Sequence, residues 1–216
     1  MGGAMRHIGT WRPGMKVRET TGRHPLVVMG MHALAWGLVP LLSMLSLPAV
    51  GQPAAADLLE SLNLSGYPPG TKPPEFAGHT LEGRGVSLAD LQGRVVLLSF
   101  WASWCQECRP EMPAFEQLHR DFAAQGLTVL GVNVREGTPA IRLYAKELSL
   151  TFPLVLDRKG EIAMSYGVSG LPITFLIGRD GRAVARAIGP REWGAAPARV
   201  LIQALLAEPV AQKAAP

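Results

Sequence analysis

The run Val95-Val96-Leu97-Leu98-Ser99-Phe100 is apolar almost throughout and has the length of a strand, with none of the polar alternation of a strand that faces water on one side. A strand of this kind must be covered on both faces. The sequence around it supplies the cover: short β-branched runs alternate with helical periods from residue 75 onward, which predicts an α/β domain. Phe76–Leu81 and Val86–Ser87 flank Glu82-Gly83-Arg84-Gly85 and predict a hairpin. A helix is expected from about Cys105 to Ala124, because Met112, Phe115, Leu118 and Phe122 recur at intervals of three and four. Leu127–Val134 predicts a second buried strand, Pro139–Leu148 a helix, Pro153–Leu156 a short strand, and Glu161–Tyr166 a further helical turn. Ile173–Ile177 and Ala183–Ile188 form a second hairpin, and a terminal helix spans Ala195–Ala207.

The chain has only two cysteines, Cys105 and Cys108, at the point where the buried strand gives way to the amphipathic helix. A bridge between them closes a very small loop and stabilises little, so a static staple is the weaker reading. A closed structural zinc needs four N or S donors, and the body offers these two thiols with His79 and His119 at irregular spacing. At a helix N-terminus, free backbone N–H groups and the helix dipole favour a thiolate, so Cys105 is the expected attacking sulfur. Cys108, one turn further in, is the expected resolving sulfur, with intramolecular attack at high effective concentration. A peroxidase of the peroxiredoxin type wants Thr three residues before its cysteine, where this chain has Ala102.

Four blocks in order, Phe100-Trp101-Ala102-Ser103-Trp104-Cys105-Gln106-Glu107-Cys108-Arg109-Pro110-Glu111-Met112-Pro113, Gly131-Val132-Asn133-Val134, Phe152-Pro153-Leu154-Val155-Leu156-Asp157 and Gly170-Leu171-Pro172-Ile173-Thr174-Phe175-Leu176-Ile177, resemble the membrane-tethered TlpA/ResA-like thiol-disulfide oxidoreductases, several of which serve cytochrome c maturation. The resemblance covers about residues 74 to 207. It implies a thioredoxin-like fold: a central mixed β-sheet flanked by helices, with an N-terminal β-hairpin extension and an N-terminal membrane anchor or signal segment. It also makes Leu171-Pro172 the cis bond facing the cysteines, turning the Leu171 backbone toward an extended substrate; the alternative is a trans proline opening a strand. Pro113 matches the proline that kinks the active-site helix. Glu111 matches an acidic residue near the cysteine pair that relays a proton to or from Cys108, the alternative being a solvated first-turn carboxylate attracted by the helix dipole. Trp104 is a candidate rim aromatic for partner contact, and Trp101 a core residue. Two departures stand out. Glu107 occupies the place where many members carry proline, and Ser99 replaces the buried acid of thioredoxins proper.

Leu26–Leu47 holds 22 residues without Asp, Glu, Lys or Arg, about 33 Å of helix at ~1.5 Å per residue. Five basic residues precede it, which keeps the N-terminus cytoplasmic and sends the body outward. Residues 1–50 are therefore expected to be a signal-anchor. The alternative is a cleaved signal, with Ala49-Val50-Gly51 or Ala54-Ala55-Ala56 offering small residues for cleavage. Residues 51–73, rich in proline, are expected to form a linker with a short helix at Asp57–Leu64; 74–208 form the domain, and 209–216 a flexible tail. The leader carries the whole formal charge of +4, five basic residues against Glu19, while residues 51–216 balance at 16 against 16. A folded part without net positive charge argues against nucleic acid as a partner.

The functional expectation is a disulfide reductase on the periplasmic face of the inner membrane, or soluble in the periplasm if the leader is cleaved. Its substrate is a disulfide in an exported protein such as apocytochrome c, and a membrane thiol-disulfide donor re-reduces it. No cofactor and no resident metal enter this reading. The rival is a Cu(I) chaperone or oxidase-assembly factor holding the soft metal between the same two thiolates, with His79 or Met164 as an added ligand.

Overall fold

The computed structural model describes residues 55–210. The leader, 1–50, lies outside the described residues, as do 51–54 and 211–216. No helix among the described residues is long and apolar enough to cross a membrane.

In chain order the elements are α1 (Ala55–Ser61), β1 (Ser65–Gly66), β2 (Ala77–His79), β3 (Gly85–Ser87), β4 (Val95–Trp101), α2 (Glu111–Phe122), β5 (Leu127–Val134), α3 (Thr138–Glu147), β6 (Leu154–Asp157), α4 (Glu161–Ser165), β7 (Ile173–Ile177), β8 (Ala183–Ile188) and α5 (Ala196–Ala207). A six-stranded mixed sheet runs β1-β8-β7-β4-β5-β6. β4, β5 and β6 are parallel, whereas β7, β8 and β1 add on antiparallel. Every residue of β4 is buried, as its unbroken apolar run requires. Its side chains alternate between two cores: Val95, Leu97 and Trp101 join α2 and α5 on one face, and Val96, Leu98 and Phe100 join Phe175, Tyr166 and Ile162 on the other. The predicted hairpin forms as β2–β3 and attaches to the outer edge of the sheet, where Thr80 bridges Val155 and the Leu81 N–H donates to the Leu154 carbonyl at 2.7 Å.

The expected linker is, from residue 55 on, part of the folded body. Leu58, Leu62 and Leu64 are buried in the α2/α5 core, β1 pairs with β8, and the Tyr67 N–H donates to the Val184 carbonyl. Five prolines suggested an extended tether, but leucines at positions 58 and 62 form an apolar stripe one helical turn apart that has to be buried.

Gly131 in β5 lies beneath Trp101, and a Cβ there would stand 2.9 Å from the indole Nε1, 3.0 Å from Leu154 and 3.1 Å from Phe152. All three neighbours are held in the core. Gly131→Ala is therefore expected to cost about 1–3 kcal/mol by overpacking, read as a lowered midpoint in urea at unchanged slope.

Candidate functional site

β4 delivers the chain from the sheet at Trp101, and residues 102–110 form a turn sequence before α2 starts. Each step is closed by a three-residue bond: Cys105 N–H to Ala102 O at 3.1 Å, Cys108 N–H to Cys105 O at 3.2 Å, and Glu111 N–H to Cys108 O at 3.1 Å. The helix expected from Cys105 thus begins six residues later. The cause is Pro110, which in an α-helix starting at Cys105 has no N–H for the Gln106 carbonyl and meets that carbonyl with its ring. With α2 starting at Glu111, Pro110 precedes it and Pro113 falls in its first turn, where backbone N–H groups have no intrahelical partner.

Cys105 and Cys108 are joined in a disulfide. Cys105 retains 6% of its surface and Cys108 none, so the exposed mouth expected for the first sulfur is a narrow opening beside Trp104, which is 68% exposed. Cys105 is not the first residue of α2, which starts at Glu111. Instead the N–H of Cys108 donates to Cys105 Sγ at 3.2 Å, and a donor held there favours negative charge on that sulfur. The Leu171-Pro172 bond is cis. Leu171 and Trp104 line one groove of about 210 Å³ with Met164 and Val168. The other proposed metal ligand, His79, lines a different cleft with Leu156 and Asp157, and no group of three or more His, Cys, Asp or Glu suited to a metal occurs among the described residues.

Glu111 is not a solvated carboxylate. It is 2% exposed, and its Oε1 accepts hydrogen bonds from the Arg191 backbone N–H at 2.9 Å and Trp193 Nε1 at 2.7 Å. Its Oε2 is buried without a partner. Burial pushes the carboxyl up to about 7, against the two hydrogen bonds and the Arg191 charge, which pull it down; Glu192 adds to the rise.

Arg191, Trp193 and Glu136 went unremarked in the sequence. Glu136, just after β5, accepts the Ser103 N–H at 2.6 Å and the Ser103 hydroxyl, and Asn133 Nδ2 donates to it at 2.6 Å, so it fixes the chain two residues before Cys105. Arg109 pairs with Glu147 of α3 and lies over the Tyr144 ring. At the Ser99 position, where thioredoxins proper carry an acid, the Thr174 hydroxyl sits 3.2 Å from the Ser99 hydroxyl. Asn133 and Glu136 apart, these partners are 30 or more residues from each other, and no spacing pattern announces such contacts.

Residues 69–186 match the AhpC/TSA family. The thiol-disulfide oxidoreductase ResA of Geobacillus thermodenitrificans is 41% identical over 113 residues, which are 52% of this chain and 65% of that protein. The match thus spans slightly less than two-thirds of that relative's length. ResA of Bacillus anthracis is 35% identical over 120 residues, 56% of this chain and 69% of that protein. Among solved structures, a thiol:disulfide interchange protein of the thioredoxin family from Chlorobium tepidum superposes with a TM-score of 0.57 at 29% identity, over 63% of this chain and 96% of that one. The thioredoxin domain of a thiol-disulfide oxidoreductase from Bacteroides vulgatus gives 0.54 at 26% identity, over 64% and 95%. With the disulfide at the end of β4, the cis bond at Leu171-Pro172 and the mixed sheet already in place, the chain belongs to the AhpC/TSA family and, within its thioredoxin fold, to the ResA-like thiol-disulfide oxidoreductases.

Proposed function

We propose that this protein reduces disulfides of exported proteins through the Cys105/Cys108 dithiol. The observation that carries the reading is the asymmetry of the pair: Cys105 keeps a small part of its surface open and its sulfur receives a backbone N–H, whereas Cys108 is fully enclosed. In the reduced protein, the Cys105 thiolate attacks one sulfur of a partner disulfide, forming a mixed disulfide and releasing the other partner sulfur as thiolate. Cys108, deprotonated, then attacks Cys105 Sγ, which frees the second partner sulfur and leaves the Cys105–Cys108 disulfide. Two electrons pass to the partner. Glu111 is the proposed proton acceptor for Cys108, joined to that residue through its own backbone N–H. The groove between Trp104 and Leu171 is the proposed seat for the extended partner segment, which pairs with the backbone beside the cis bond.

The charge-free run at Leu26–Leu47 behind five basic residues supports placement at the periplasmic face of the inner membrane, by a retained anchor. A tether of this kind makes re-reduction by a membrane thiol-disulfide donor nearly intramolecular. Apocytochrome c is the proposed substrate class, by the resemblance of the four sequence blocks to TlpA/ResA-like proteins that serve cytochrome c maturation.

Equilibration in glutathione or dithiothreitol buffers measures the direction of electron flow. A reductant is expected to have a potential below roughly −220 mV and to reduce insulin with dithiothreitol as donor. A value near −120 mV, that of a strong oxidant, reverses the proposed direction.

A further inference from the structure

A cleft of about 470 Å³ lies between the first turn of α2, the loop after β8 and the segment that follows α1. Glu111 is on its wall, and the way Glu111 is held leads to a residue outside the cysteine chemistry.

Helix α1 ends in a tight left-handed turn. Asn63, at φ 51°, donates its N–H to the Glu60 carbonyl, and Leu64 donates to Leu59. This leaves the Leu62 and Asn63 carbonyls without helical donors, at the negative end of the helix. The Arg191 guanidinium supplies them: Nε donates to Leu62 O at 2.9 Å and to Asn63 O at 3.2 Å, and Nη2 donates to Asn63 O at 2.8 Å. Nη1 turns back onto its own loop, to Pro190 O at 2.8 Å and Gly189 O at 3.3 Å. The main chain of the same residue faces the other way and gives its N–H to Glu111 Oε1, while Trp193, two residues on and 1% exposed, gives its indole N–H to the same oxygen.

We propose that Arg191 is a positioning residue for Glu111: its side chain locks the loop after β8 onto the α1–β1 arm, and through that lock the arm sets where the carboxyl stands. This rests on the oxidoreductase reading above and extends it to a part of the chain far from the cysteines. The arm, which the leader precedes, thereby becomes part of the active site. Three buried leucines, Leu58, Leu62 and Leu64, hold the arm against the core, so the lock has a firm base. The charged groups acting on Glu111 are Arg191, which favours its ionised form, and Glu192, which opposes it. Ser61, Leu62 and Asn63, which the arm brings to the cleft, carry no charge.

The test follows the Glu111 carboxyl itself, by 13C NMR of glutamate-labelled, oxidised full chain, with the resonance identified by its loss in Glu111→Gln. Arg191→Ala removes a favourable charge and releases the N–H donor, so the titration midpoint is expected to move upward by about half a pH unit or more. Arg191→Lys, which keeps the charge and a donor, is expected to restore most of the shift. Leu62→Ala, which loosens the arm and leaves Arg191 intact, is expected to move the midpoint in the same direction, and it carries the test if Arg191→Ala does not fold. In insulin reduction, Arg191→Ala is expected to lose several-fold in kcat at unchanged KM. Midpoints in Arg191→Ala and Leu62→Ala that coincide with the unmodified chain overturn the proposal. The NMR titration involves no partner disulfide. A chain that shows the predicted shifts but reduces no insulin therefore overturns the oxidoreductase reading while leaving the link from arm to carboxyl standing.

Discussion

Cys108→Ser is expected to convert the protein into a trap. Cys105 retains its small exposed fraction and its contact from the residue-108 N–H, so it is expected still to attack a partner disulfide, but no second sulfur remains to resolve the adduct. Covalent complexes with exported proteins should accumulate and separate on non-reducing gels, then collapse on addition of dithiothreitol. Cys105→Ser is expected to form no such complexes and to lose at least roughly a thousandfold in turnover, because a hydroxyl of ordinary acidity replaces the thiolate nucleophile. The asymmetry matters more than either loss. If Cys108 is the nucleophile, the adducts appear in Cys105→Ser instead, and its complete enclosure has to be relieved by movement of residues 102–110. Adducts in neither variant would leave the pair as a static staple. Loss of the disulfide is common to both substitutions, and a urea melt of each variant separates the added cost of a hydroxyl at the enclosed position 108, so the difference in adduct formation between folded variants reports chemistry.

The strands were legible because their signal is local: β5, β7 and β8 fall on the residue ranges their apolar patterning predicts, and β4 extends one residue beyond its own. The cysteine pair at the end of β4 and the cis bond at Leu171-Pro172 were equally open to reading, the first from placement and the second from the resemblance. The start of α2 was misplaced although Pro110 marks it, since the periodicity of Met112, Phe115 and Leu118 says where a helix packs but not where it begins. The arm at residues 55–66 is masked by the prolines on either side of it, Pro53 before and Pro68-Pro69 after, and by the brevity of β1, two residues whose pairing with β8 cannot be inferred from their own composition. For Glu111 the sequence leaves two surroundings open, and burial removes the solvated one. Three residues past a cysteine, near a helix start, a carboxylate is ordinarily wet. Its buried oxygen is met by the indole N–H of Trp193, 82 residues further along the chain, and that proximity is a property of the fold.

Glu111→Gln should make stability less dependent on pH, and the sign follows from burial. The folded carboxyl is pushed up to about 7, whereas in the unfolded chain it ionises near ~4.3. Between these values the folded state keeps a proton that the unfolded state has lost, so the contribution to stability is full below the unfolded value and is lost as pH rises through the folded one. The swing is on the order of 3 kcal/mol. Glutamine keeps an oxygen to accept from Arg191 and Trp193, puts its amide nitrogen where Oε2 already lacks a partner, and cannot ionise. Urea melts should therefore find the variant close to the parent near pH 5 and more stable at pH 8, by about 1–3 kcal/mol. Function should move the other way. A carboxyl that titrates near neutrality is half available as a base at the pH where Cys108 has to lose its proton, and general-base assistance contributes roughly 10²–10⁴-fold. Resolution of a pre-formed mixed disulfide, followed by stopped flow, is expected to slow by at least about a hundredfold at pH 7 and to lose its inflection there. Alkylation of Cys105 should be unaffected. Parallel pH–stability curves would mean that the carboxyl is hydrated in solution, and an unchanged resolution rate would leave Glu111 a buried structural acid with no part in the proton transfer.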